Sequence, residues 1–199
     1  QSLKINRNTK FIMQRLLEYL PLVLYAALFF GLKISEHFVL SKPGNTIRKE
    51  WGDWTVYLIL IPMWLVLITP VLEFVFLGYR PEPWEMILGA ILFTSSGFLS
   101  IKGYQDLQHG FAQAVEIEDT SIVVTGLYHI IRHPISLANI LFCIACPLFL
   151  AAGPSWIPAL IGILGVILRI SIEESFMEQH VPDYADYKKR TWALVPYIY

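Results

Sequence analysis

Four side chains capable of chemistry, Tyr128, His129, Arg132 and His133, stand within six residues, directly before Pro134 and a long apolar run. Charged and hydrogen-bonding groups at the mouth of a membrane helix are expensive unless they bind something or pair with one another, so the cluster reads as the rim of a site. A second group lies further along, where Arg169 precedes Glu173 by four residues and Glu174 follows directly. On a helix Arg169 and Glu173 share a face, whereas the adjacent glutamates point about 100° apart. They do not form the facing carboxylate pair of a glycosidase; they suit hydrogen bonds from a diol or an ammonium group. Arg169 has two readings: an anion anchor inside the membrane, or a side chain that snorkels to headgroups and pairs with Glu173.

Other chemistries find no support. His129 and His133 are four residues apart but have no intervening glutamate of the zincin type, and Pro134 disfavours a helical His133, so no metal site is expected. Cys143 and Cys146 lie inside an apolar run with no second pair to complete a tetrahedral site, and they read as packed thiols without a disulfide. No glycine-rich dinucleotide fingerprint, phosphate-binding loop or nucleophile elbow is present. A formal charge of -1 and the lack of a basic stripe set nucleic acid aside.

The elements that must carry these groups are membrane helices. Of the 199 residues, 55% are hydrophobic and 16% charged, far from the soluble balance of about a quarter charged. A span needs about 20 mainly apolar residues. Five stretches qualify: 19–40, 54–77, 84–101, 134–150 and 156–172. The first reads as a retained helix rather than a cleaved leader, with Lys33, Glu36 and His37 near its end. The second contains Pro62 and Pro70 and carries Glu73 late, as an interfacial carboxylate. The third is rich in small residues (Gly89, Ala90, Ser95, Ser96, Gly97), which suits close packing in lipid. Pro134 favours a helix start at that point. Residues 151–155 allow only a tight hairpin between the last two helices, so the loop ending at His133 and the tail after Glu173 face each other across one membrane surface.

Residues 102–133 form a polar stretch too long for a structureless loop, and its aromatic and apolar content predicts an ordered element lying on or re-entering the membrane surface. Placing the tail in the cytoplasm puts eight lysines and arginines on that side against five outside, although the basic N-terminus pulls the other way. The expected fold is therefore all-α: a polytopic membrane protein with five transmembrane helices, a hairpin of the fourth and fifth, and a cofactor pocket on the cytoplasmic side. Residues 1–101 form an N-terminal membrane region and 102–199 a C-terminal catalytic region.

Taken in order, Gly126-x-Tyr128, Arg132-His133-Pro134, a two-helix hairpin, Glu173-Glu174 and Tyr184-x-x-Tyr187-x-x-Arg190 before Pro196 resemble the isoprenylcysteine carboxyl methyltransferase family and its phospholipid methyltransferase relatives. The resemblance covers nearly half the chain, from about Gly103 to the end. It implies an enzyme that transfers a methyl group from S-adenosylmethionine to a lipid-borne acceptor reached from the bilayer, leaving S-adenosylhomocysteine. Carried over, it places Tyr128, His129, His133, Pro134 and Leu137 around the cofactor at the start of the fourth helix, with Glu173 and Glu174 closing the pocket and Gln113 and Val115 contributing from the loop. Ser136 and Ala138 stand where the family usually has tyrosine and glycine, and Val181-Pro182 replaces a phenylalanine-glycine pair.

The chemistry of the residues agrees. Glutamates suit the ribose diol or the ammonium group, helix-start N–H groups suit the carboxylate, and Leu137 and Ile140 suit the adenine. Methyl transfer from a sulfonium is an in-line displacement that needs alignment and exclusion of water. A carboxylate acceptor needs no base but must be held, which suits Arg169; an amine acceptor wants a base, for which Glu173 or His133 would serve. The leading expectation is methylation of an isoprenylated cysteine carboxylate, with catalytic roles for Arg169 and Glu173. Amine methylation of a phospholipid is the nearest alternative, ahead of an NADPH-dependent reductase of the sterol reductase type and of a non-catalytic scaffold.

Overall fold

The computed structural model describes residues 7–40, 55–114 and 123–196, and among them the chain is helical, with one isolated parallel bridge between Ile131 and Trp192. Helix α1 is Arg7–Leu40 and α2 is Thr55–Leu72, continued by one π-helical turn, Glu73–Leu77, that ends on Gly78 in the left-handed conformation. Next come α3, Pro83–Ala114, a 3-10 turn, Gly126–His129, and the pair α4, Pro134–Phe149, and α5, Trp156–His180. A short α6, Tyr184–Arg190, lies in the tail.

Among the described residues four helices are long and apolar enough to cross a membrane: Leu17–Val39, Tyr57–Leu77, Pro83–Leu107 and Trp156–His180. The expected fifth span, α4, has only 16 residues. That is about 24 Å of helix, short of a hydrocarbon core of about 30 Å. It is also shielded, since Ala138, Cys143, Ala145, Cys146 and Phe149 are all buried. A helix wrapped by neighbours is apolar for the same reason as a spanning one, which is why composition alone read it as a span.

Two helices run past the membrane boundaries read from apolarity. α3 continues from Ile101 to Ala114 and α5 from Ile172 to His180. Both extensions carry helix-compatible polar residues, and the first contains the i,i+4 pair Lys102–Asp106 at 2.6 Å. Hydropathy reports where lipid ends, not where the helix ends. The ordered element expected after residue 101 is therefore partly the tip of α3, while residues 115–122 lie outside the described region.

α3 packs most extensively on α4, and α2 on α5. The small residues of α3 permit this: a Cβ added to Gly89 would come 2.7 Å from the Phe149 Cα, and Ser96 Oγ donates to the Ala138 carbonyl at 2.8 Å. The core beneath is aromatic. Tyr25 meets Phe93 edge-on at 6.0 Å and donates to the Leu67 carbonyl at 3.1 Å, tying α1 to α3 and α2. Cys143 and Cys146 are buried there as free thiols.

Glu73, read from the sequence as an interfacial carboxylate, is enclosed by the protein. It is buried in the π turn, where Ser155 of the α4–α5 hairpin bonds its Oε1 and approaches Thr69 Oγ1 at 2.8 Å. Among the described residues its Oε2 has no hydrogen-bond partner. The contact fastens the end of α2 to the hairpin turn, at the opposite end of α4 from Pro134.

Candidate active site

Pro134 opens α4 at its first turn, and His133 before it lies outside helical geometry, at φ -124 and ψ 60. Upstream, Gly126 adopts φ +62, and any Cβ there would collide with the Asp106 carboxylate. Asp106 uses that closeness: Oδ2 accepts from the Leu127 N–H at 2.8 Å and Oδ1 from Lys102 at 2.6 Å. α3 thereby fixes the 3-10 turn that carries Tyr128 and His129.

The tail secures the other edge of this segment. Arg132 N–H donates to the Trp192 carbonyl at 2.8 Å, His133 N–H to Ala193 at 3.1 Å, and Trp192 N–H to Ile130 at 3.0 Å. Tyr187 Oη donates to the Tyr128 carbonyl at 2.6 Å. Burial pushes the Tyr187 phenol up to about 12, so it keeps its proton at neutral pH.

Glu174 is the hub of the site's electrostatics. Its Oε1 accepts from Arg132 Nε at 2.9 Å and lies 3.3 Å from His133 Nε2, while Oε2 takes Lys188 Nζ at 2.8 Å. The Arg132 guanidinium also reaches Thr191 and the Lys188 carbonyl. Burial holds His133 below its ordinary value, against the pull of Glu173 and Glu174. The neutral ring can donate to a carboxylate only with its proton on Nε2, which leaves Nδ1 as an acceptor. Lys188 is held above the usual lysine range by its bonds to Glu174 and Glu178.

The residues expected around a cofactor are divided by burial. Tyr128, His133 and Pro134 are buried, Leu137 is half-buried against Val166, Ile170 and Leu194, and His129 and Glu173 are exposed. Glu173 lies within electrostatic reach of Tyr128 and His133. Gln113 falls in the last turn of α3, and Val115 lies outside the described residues. The half-buried Ser136 and the buried Ala138 occupy the first turns of α4.

Arg169, one turn before Glu173 on α5, lines a cavity of about 440 Å³ between the helices, together with Phe29 and Glu36 of α1, Met63 of α2, Tyr104 of α3 and Asn139 of α4. The walls are chiefly apolar, with Lys33, Glu36, Ser96, Ser100, Asn139 and Arg169 among the polar residues that line them. Tyr104 joins the two regions, since it lines the cavity and lies within electrostatic reach of Tyr128.

A profile of the phospholipid methyltransferase family matches residues 84–183, about half the chain. The chain belongs to the phospholipid methyltransferase family. That family is related to the isoprenylcysteine carboxyl methyltransferases. No curated protein matches the chain. The protein is thus an integral membrane methyltransferase, and membership of a methyltransferase family sets aside the reductase and scaffold readings. Methyltransferases of this family generally use S-adenosylmethionine. The matched span contains the α3 tip, the 3-10 turn, the hairpin and Glu173–Glu174, but it stops at Asp183, before Lys188 and the tail segment that bind Arg132 and Glu174.

Four residues of the network were not among the expected ligands: Asp106, Arg132, Tyr187 and Lys188. The Arg-His-Pro and tail tyrosine blocks contain or adjoin three of them. Asp106 left no signal beyond its position in a polar stretch. Among the described residues no group of three or more histidines, cysteines or acids is placed to hold a metal ion.

Proposed function

We propose that this protein transfers a methyl group from S-adenosylmethionine to the carboxylate of an isoprenylated cysteine or a similar lipid-borne acceptor. The observation that carries the reading is Arg169, a cation lining an apolar cavity among membrane helices. An arginine there suits a planar carboxylate at the end of a long apolar chain, which it grips with two parallel N–H bonds.

The residues near Pro134 suit the cofactor. Glu173 offers an exposed carboxylate for a diol or an ammonium group, the first N–H groups of α4 suit a carboxylate, and Leu137 supplies an apolar surface for adenine. Tyr128, His129, His133, Pro134, Gln113 and Val115 complete the proposed set. Glu174, engaged by Arg132, His133 and Lys188, contributes by holding the loop and tail that frame the pocket. S-adenosylmethionine supplies an electrophilic methyl group. The protein's part is to align the acceptor oxygen, hold its charge with Arg169 and exclude water. Residues 102–199 would form the catalytic region and 1–101 its membrane frame, with the site on the cytoplasmic side, where the balance of lysines and arginines favours the tail.

Purified protein incubated with methyl-labelled S-adenosylmethionine and a farnesylated cysteine analogue should yield a methyl ester whose label base releases as methanol. The second reading, amine methylation of a phospholipid, draws on the family match and on Glu36 in the same cavity. It would show as base-stable label in amine lipids. Lack of cofactor binding by calorimetry would refute both.

A further inference from the structure

The length of α4 fixes the depth of everything joined to its first turn. At its C-terminal end the hairpin turn lies beside Tyr79, whose Oη would stand 3.6 Å from a Cβ added to Gly153. Tyr79, Trp84 and Trp156 are all exposed at this end, and exposed Arg80 and Glu82 separate the first two in sequence. Such a belt of aromatic and charged residues marks a membrane boundary. From that level the 16 residues of α4 reach back only about 24 Å, whereas the hydrocarbon core is about 30 Å thick. Tilt would shorten the reach further. Pro134 therefore stops inside the opposite leaflet, short of its surface.

The tail meets α4 at this depth. Leu194 is buried in a cluster with Val166 and Ile170 of α5, and Ile59 of α2 and Leu137 and Ile140 of α4 pack against that cluster. Ile170 stands about 21 Å along α5 from Trp156, so the cluster too lies within the core. Non-helical chain is tolerated at such a depth only where its polar groups are paired. Here the tail pairs them with the loop: Arg132 N–H donates to the Trp192 carbonyl, His133 N–H to the Ala193 carbonyl and Trp192 N–H to the Ile130 carbonyl, at 2.8–3.1 Å. Trp192 and Val195 are nevertheless 39% and 37% exposed. Just before them, Lys189 and Arg190 in the last turn of α6 are exposed as well. Cations followed directly by an outward tryptophan suit a chain that passes from headgroups to acyl chains, and they repeat the order of Arg80 and Trp84 at the other boundary.

We infer that residues 192–195 form a lipid-binding surface seated in the leaflet on the α6 side, with the Trp192 indole at the junction of headgroups and acyl chains and Val195 against the acyl chains. The partner is the phospholipid leaflet itself. Because the same stretch of backbone holds Arg132 and His133, lipid packed on Trp192 braces the loop that leads into α4.

The test places the wild-type chain in phosphatidylcholine vesicles doped with a phosphatidylcholine whose acyl chain carries a photoactivatable diazirine, and maps the labelled peptides after irradiation. Residues 192–195 should be labelled to the same extent as Leu164 and Leu168, which are exposed on α5 within its span, and Ala185 and Asp186 of α6 should carry little label. Label on Leu164 and Leu168 with none on the tail would overturn the assignment. A second measurement follows the fluorescence that the wild type has and Trp192→Phe lacks. Brominated acyl chains should quench it and aqueous iodide should not. The opposite pattern would put the indole in water, and quenching by neither agent would put it against protein; both overturn the proposal. The labelling needs no variant, so it remains decisive if Trp192→Phe fails to fold.

Discussion

Arg132, in the loop before α4, and Glu174, well inside α5, are 42 residues apart and meet at 2.9 Å with side chains only 7% and 11% exposed. An ion pair this enclosed contributes through what its loss would strand. Removing one partner leaves a buried charge uncompensated, at a cost of about 3–5 kcal/mol. Glu174 also faces His133 and Lys188, so three segments depend on one carboxylate.

Glu174→Ala should therefore lower the unfolding midpoint sharply and weaken cofactor binding as the loop loosens. Glu173→Ala, which removes an exposed carboxylate, should leave the midpoint nearly unchanged and weaken the cofactor by about tenfold. Thermal unfolding in detergent and calorimetric titration on the same samples separate the two. Equal midpoints for both variants would show that Glu174 is not the anchor.

Arg169→Ala should lower turnover by about a hundredfold, the usual scale for losing one charge-stabilising donor, with cofactor affinity unchanged. Arg169→Lys should recover only part of it, because an ammonium lacks the bidentate fork. Steady-state rates with varied acceptor, set beside cofactor binding, decide this. A fall in cofactor affinity alone would move Arg169 to the other ligand.

His133 gives stability a defined pH dependence. Its folded value is lowered by burial, so near pH 6.5 and below, the unfolded chain binds the proton more readily than the folded one. Stability is then full above about pH 6.5 and declines as the pH falls through that value toward the folded one. Unfolding midpoints between about pH 7.5 and pH 5.5 should drop in the wild type and drop less in His133→Gln. Parallel profiles would mean that His133 titrates no differently once folded.

Gly126→Ala should both strain the backbone at φ +62 and press a methyl group into Asp106. The expected cost is about 1–3 kcal/mol, with loss of cofactor affinity as the Tyr128 turn moves. Ser155→Ala removes the bond to Glu73 at the far end of the hairpin. It should destabilise by about 1–3 kcal/mol and leave cofactor affinity unchanged. The pair of variants tests whether the two ends of α4 are separable.

The sequence by itself determined the helical membrane class, the start of α4 at Pro134, the α4–α5 hairpin and the blocks that mark the family. Each depends on nearby residues: apolarity over one span, a proline's effect on its predecessor, a turn too short for anything else. Tertiary structure decided the rest. It showed α4 to be short and enclosed, because apolarity cannot tell burial in lipid from burial in protein. It joined Arg132 to Glu174 and to Lys188, 42 and 56 residues away in the chain, and set Asp106 against Gly126. It also brought Glu36 and Arg169, from the first and the last of the candidate membrane spans, to one cavity. Such contacts arise from how helices cross, and no local pattern of residues encodes which charges will meet.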